Sequence, residues 1–173
     1  MLNLPTIFTF SRIVIIIPFV LITPGNPFLG AVIFGLAALT DLIDGYLARR
    51  SSQVTKLGII LDPIADKLLV ISALILLVDM EFIPAWIAIL IIIREFIVTG
   101  MRIVALTKDI VIPAEMGGKL KVTAQISSII ILLVDKTFVF ADFYALGITL
   151  LWVSMILGVT SGVQYFVLFR KKI

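Results

Sequence analysis

Six stretches of predominantly apolar residues divide this chain almost from end to end, running approximately Thr6–Ile22, Pro27–Leu47, Leu57–Val78, Ile83–Leu106, Leu120–Phe140 and Phe143–Phe169. A helix that crosses a bilayer needs roughly 20 such residues. Only short polar or turn-rich breaks separate the stretches: TPGNP at 23–27, RRSSQVTK at 49–56, DMEF at 79–82, TKDIVIPAEMGGK at 107–119, and a break near Ala141–Asp142. Hydrocarbon offers the backbone no water to bond, so helices are the simplest spanning structure. Composition agrees: 61% of the 173 residues are hydrophobic and 14% charged, where soluble domains carry about 25% charge. Mean hydropathy is +1.24. These features predict an all-α polytopic membrane protein of six transmembrane helices, a single domain over residues 1–173 with no internal repeat or low-complexity tract.

Basic residues orient the spans. Arg49, Arg50 and Lys56 fall in the second break, Lys108 and Lys119 in the fourth, and Arg170, Lys171 and Lys172 follow the last stretch. The first break has no basic residue, the third carries Asp79 and Glu81, and the fifth has Lys136 alone. Lys and Arg concentrate in cytoplasmic loops. Both termini are therefore expected in the cytoplasm, which suits an even number of spans. The opening MLNLPTIFTFSR lacks the basic n-region and small-residue cleavage site of a signal peptide, so the first stretch is expected to be retained. A formal charge of +3 is too mild to suggest nucleic acid as a partner.

Cysteine and histidine are both absent. That removes disulfides, thiolate chemistry and the commonest zinc ligands and general base. Any acid–base or metal chemistry falls to Asp and Glu.

Four aspartates stand where a membrane helix should avoid them. Asp41 and Asp44 lie toward the end of the second stretch, Asp62 and Asp66 near the start of the third. Carboxylates in a span are costly and usually functional. Spacings of three and four put each pair on one helical face. Gly45, Ala48 and Gly58 leave the neighbouring helix surface bare for a ligand. The orientation makes the two pairs face each other across loop 49–56, one to three turns below the cytoplasmic surface. Four such charges would raise one another's pKa strongly unless cations joined them. Oxygen-only donors suit Mg²⁺ or Mn²⁺, and two ions would form a clamp for phosphoryl chemistry. Intramembrane ion pairs with Arg49, Lys67 or Arg94 are the plainer reading. A cation- or proton-coupled transporter would bury carboxylates too, though nearer the midplane.

Residues 41–66 read DLIDGYLARRSSQVTKLGIILDPIAD. This resembles the signature of the CDP-alcohol phosphatidyltransferase family, D-x2-D-G-x2-A-R-x8-G-x3-D-x3-D, at all eight fixed positions. NLPTIFTFSR at 3–12, REFIVTGMRI at 94–103 and GGKLKVTAQ at 117–125 are similar to the branch whose acceptor is sn-glycerol 3-phosphate. The resemblance implies six transmembrane helices, usually in a homodimer within the lipid bilayer, and a polar cavity open to the cytoplasm. It implies CDP-diacylglycerol as donor. Asp41, Asp44 and Asp62 would bind metal, and Asp66 would both touch a metal and serve as general base. Gly45, Ala48 and Arg49 would line the CDP pocket together with the aspartates and Gly58, Arg49 lying near the nucleotide phosphates. Thr9 and Arg12 would face the same cavity.

With no histidine available, a carboxylate must take the proton of the acceptor hydroxyl. An acceptor that bears its own phosphate needs further cations. Arg94 and Arg102 lie about two turns apart on the fourth stretch, and Lys119 and Lys121 open the fifth. Arg suits bidentate phosphate binding. Arg94 could equally form a structural pair with Glu95, and Lys119 and Lys121 could simply mark the cytoplasmic side. Sibling transferases that use inositol phosphate, serine or phosphatidylglycerol as partner would share every residue of the signature. Trp86 and Trp152 are expected as interfacial anchors, and Pro63 could kink the third helix.

Overall fold

A computed structural model of the chain describes the backbone of residues 4–48, 56–107, 116–135 and 143–172, with side chains over 13–40, 67–105, 118, 120–135 and 143–170. It contains six helices: α1 Leu4–Ile22, α2 Pro27–Ala48, α3 Lys56–Asp79, α4 Ala85–Thr107, α5 Met116–Asp135 and α6 Tyr144–Lys172. Among the described residues there is no strand.

Each helix coincides with an apolar stretch, but the boundaries differ in informative ways. α4 starts at Ala85, directly after Pro84, whose carbonyl accepts from the Ile87 N–H at 3.1 Å. α5 starts at Met116 and finishes at Asp135, so Gly117, Gly118, Lys119 and Lys121 lie within the helix. α3 is continuous through Pro63 and α1 through Pro18.

The turns show how the sequence starts and stops these helices. Asn26 caps α2, its Oδ1 accepting from the Leu29 N–H at 3.1 Å, with Pro27 pre-set for the first helical position. Thr23 is fully buried and its hydroxyl donates to the Phe19 carbonyl at 2.5 Å. A Cβ on Gly30 would stand 2.4 Å from the Thr23 Oγ1, so α1 and α2 close against each other only because residue 30 is glycine. α3 ends in a Schellman arrangement: the Phe82 N–H donates to Leu77 O at 2.8 Å and the Glu81 N–H to Val78 O at 3.0 Å. Glu81 takes the left-handed position at φ 60°, a place glycine usually fills.

Contacts fix the topology. Phe19 and Phe34 rings meet at 5.8 Å, Lys67 meets Glu95, and the Ser128 hydroxyl donates to Gly147 O at 2.7 Å. Consecutive helices therefore run antiparallel. Leu132, Leu133 and Ile129 of α5 are fully buried with Leu74 and Leu77 of α3 and Leu151 of α6. α5 packs on α2, α3 and α6, α1 packs on α2 and α3, and α4 packs on α3 and α6.

The outer surface is as apolar as the core. Leu21, Ile75, Phe96, Ile97, Ile156 and Val163 are each more than half exposed, an extent of apolar exterior unusual for a water-soluble monomer. Trp86 and Trp152 stand edge to face, ring centres 5.3 Å apart, on the outside of α4 and α6. Among the described residues one helical segment, Tyr144–Arg170, is long and apolar enough to cross a membrane, and Ile13–Ile22 and Pro27–Thr40 are shorter apolar segments.

Candidate active site

The antiparallel order brings the ends that matter to one side of the bundle. There α2 finishes, α3 and α5 begin, α4 and α6 finish, and α1 begins. Asp41, Asp44, Gly45 and Ala48 belong to the last two turns of α2, and Gly58, Asp62 and Asp66 to the first three of α3. At the helical rise, Asp44 and Asp41 lie about 6 and 10 Å before the end of α2, and Asp62 and Asp66 about 9 and 15 Å after the start of α3. α2 and α3 touch, and α1, which carries Thr9 and Arg12, touches both. The side chains of these residues and of Lys119 lie outside the described residues, as does Arg49 altogether. Among the described residues no group of three or more acids gathers that could hold a metal.

Beside this region a second charged centre is fully defined. Glu95 on α4 is 3% exposed, and its carboxylate meets cations from three helices. Lys67 of α3 pairs with Oε2 and Lys121 of α5 with Oε1, while Arg94 Nη1 lies 3.2 Å from Oε1. Arg94 also reaches α6, where Nε donates to Gly158 O at 2.7 Å and Nη2 to the Ser161 hydroxyl at 2.6 Å. A buried cation is tolerable only when paired and bonded, and Lys121, at 2% exposure, owes its burial to Glu95.

Lys67 follows Asp66 directly along α3, so the Glu95 centre sits at nearly the same depth as the innermost signature aspartate. Lys67 and Arg94 are also two of the cations that a purely structural reading would assign to the aspartates. Here both are engaged by Glu95. A cavity of about 190 Å³ opens between α3 and α4, with Lys67, Glu95 and Thr99 as its polar lining and Leu68, Ile71 and Phe96 among its apolar walls. Arg102 stands apart: it is exposed on the last turns of α4, its guanidinium 5.8 Å from the centre of the Tyr165 ring.

Of the four cations expected to face an acceptor phosphate, Arg94 and Lys121 thus come together, Arg102 lies about two turns further toward the site end, and Lys119 precedes Lys121 on α5. Sequence reasoning anticipated an Arg94–Glu95 pair but missed Lys67, Gly158 and Ser161. The available signal was the gathering of Lys67, Arg94 and Lys121 at similar depth to Glu95 on three neighbouring helices.

Comparison with known proteins identifies the family of this all-helical chain. Residues 2–160 match the family model of the CDP-alcohol phosphatidyltransferases, and the chain belongs to that family. Among curated proteins it is 40% identical to a CDP-diacylglycerol--glycerol-3-phosphate 3-phosphatidyltransferase of Bacillus subtilis (strain 168), over 96% of this chain and 94% of the relative. Proteins of the same name from Wigglesworthia glossinidia brevipalpis and Rickettsia bellii (strain RML369-C) are 39% and 37% identical, over 95% and 98% of this chain and 93% and 96% of the relatives.

Proposed function

We propose that this enzyme transfers the phosphatidyl group of CDP-diacylglycerol to sn-glycerol 3-phosphate, giving phosphatidylglycerophosphate and CMP in phospholipid biosynthesis. The observation that carries the reading is the complete aspartate signature on the end of α2 and the start of α3, two helices that touch, in a chain whose curated relatives bear that activity in their name. All six helices cross the cytoplasmic membrane in this reading, with both termini and the site on the cytoplasmic side, and the protein works as a homodimer. The apolar exterior and the alternation of basic and acidic breaks support it.

Asp41, Asp44, Asp62 and Asp66 would hold two divalent ions, Mg²⁺ or Mn²⁺, whose charge would offset that of the pyrophosphate. The donor set fits such ions: it is oxygen-only, in a chain without Cys or His. Gly45, Ala48 and Gly58 keep the helix faces low enough for the cytidine to approach, Thr9 and Arg12 of α1 are assigned to the same pocket, and Arg49 pairs with the nucleotide phosphates. Asp66 accepts the proton from the acceptor hydroxyl. The freed oxygen bonds to the β-phosphorus as the bond from that phosphorus to the bridging oxygen breaks, and CMP leaves with the electron pair. Direct displacement is favoured because no Ser or His stands as an evident nucleophile.

The acceptor's phosphate is received by the basic set Arg94, Arg102, Lys119 and Lys121. Its support is electrostatic: among the described residues, Lys67, Arg94 and Lys121 share the carboxylate of Glu95, a locally positive centre that suits an anion. The deciding experiment supplies purified protein with CDP-diacylglycerol, divalent metal and a panel of acceptors, and measures CMP. Release with glycerol 3-phosphate well above that with serine or inositol phosphate is the expected result. Equal use of serine refutes the phosphate acceptor, and preference for inositol phosphate moves the protein to a sibling activity.

A further inference from the structure

Among the described residues, one buried carboxylate is held by three cations from three helices, an unusual ratio for a structural ion pair. Burial penalises every unmatched charge, so a bundle that needed only a tie between α3, α4 and α5 would be served by one cation per acid. The arrangement makes sense if the cations must be kept close together at a fixed place for another anion. Glu95 is placed to do that. Its two oxygens divide the work, Oε2 taking Lys67 and Oε1 taking Lys121 and Arg94. Arg94 is then fixed from its far side by α6, through Gly158 O and Ser161. Glu95 and Lys67 line the cavity between α3 and α4, while Arg94 and Lys121 line a separate space of about 10 Å³ against α6, so the centre borders open space on one side and packed core on the other.

We infer that Glu95 is a positioning residue for the acceptor: its carboxylate fixes Lys121 and Arg94 at the spacing that receives the acceptor's phosphate. The inference rests on the acceptor reading above. Glu95 does not touch the substrate; it acts through the lysine and the arginine. Shortening or neutralising it should therefore disturb acceptor recognition and leave donor recognition alone, because the CDP pocket belongs to α2 and the start of α3.

The test uses the full chain in lipid nanodiscs and the variants Glu95→Asp and Glu95→Gln, with Leu132→Ala as a control that opens a void in the core among α3, α5 and α6. Glu95→Asp keeps the charge but withdraws it by one methylene, and it decides the question if Glu95→Gln does not fold. A displacement of about 1 Å in a positioning contact can cost up to roughly a hundredfold. Expected for Glu95→Asp is a KM for glycerol 3-phosphate raised about tenfold, with the KM for CDP-diacylglycerol unchanged; Glu95→Gln should be worse. Leu132→Ala should lower the unfolding temperature yet leave both KM values as they were. An acceptor KM in Glu95→Asp equal to that of wild type would overturn the assignment, as would a KM that falls. If the wild type proves to use a different phosphate-bearing acceptor, the comparison is made with that compound, so an error in the acceptor's identity does not pass for a failure here. A wild type indifferent to the acceptor's phosphate would overturn both.

Discussion

Asp66→Asn keeps the shape of the side chain and removes its capacity to take a proton. Losing a general base costs roughly 10²–10⁴-fold in rate, so CMP release by this variant should fall at least that far. Binding of CDP-diacylglycerol, measured by equilibrium titration, should persist, and near-normal turnover would unseat the residue as base. Arg102 and Lys119 test the other substrate. Arg102 is exposed above Tyr165 and is not held by Glu95, so removing it disturbs little packing. Charge-assisted bonds to a phosphate contribute about 1.5–3 kcal/mol each. Two-substrate kinetics of Arg102→Ala and Lys119→Ala should accordingly show the KM for glycerol 3-phosphate rising by about tenfold or more while that for CDP-diacylglycerol holds. Individual residues were unevenly legible. The aspartates stood out because a charge in an apolar run has few innocent explanations, whereas the company of Lys121 did not. Its partner Glu95 sits 26 positions away on another helix, and nothing local in GGKLKV signals a side chain that folds inward.

At the level of single helices, length and hydropathy were enough to find all six, because a run of some 20 apolar residues has few alternatives. Where each helix ends was harder. Gly117 and Gly118 looked like part of a break and instead lie inside α5, since packing on α2, α3 and α6 outweighs a propensity deficit of about 1 kcal/mol per glycine. Which face of each helix turns inward was not legible either, because core and exterior are made of the same residues. The Schellman turn after α3 provides a test at this scale. Glu81 holds a left-handed backbone at φ 60°, which costs an L-residue with a Cβ about 1–2 kcal/mol relative to glycine. Glu81→Gly should thus raise the thermal unfolding midpoint by a few degrees without altering activity, and an unchanged or lower midpoint would show that the side chain contributes something the turn needs.

For the molecule as a whole, four carboxylates at overlapping depths on two touching helices imply dependence on cations. Chelation with EDTA should silence CMP release, and added Mg²⁺ or Mn²⁺ should restore it. Asp41→Ala or Asp44→Ala should raise the metal concentration required or abolish activity. Release of CMP by metal-free protein would remove the two-ion reading while leaving family membership untouched.

The end of the bundle away from the aspartates is stitched by neutral bonds. Thr23 closes on Gly30, the Tyr144 hydroxyl donates to Phe82 O at 3.1 Å, and Ser128 donates to Gly147 O. The Glu95 centre ties α3, α4, α5 and α6 together again at the level of Asp66, so freedom to splay at the aspartate end is left to α1 and α2, with the stitched end as their pivot. A two-tailed lipid donor arriving sideways from the bilayer would then enter by a small scissoring of α2 against α3, with no unpacking of the core below. Amide hydrogen exchange would register this as an asymmetry. The N–H groups of Gly30 and Phe82 should exchange slowly whether or not CDP-diacylglycerol is present. Those in the last turn of α2 and the first of α3 should slow only when it binds.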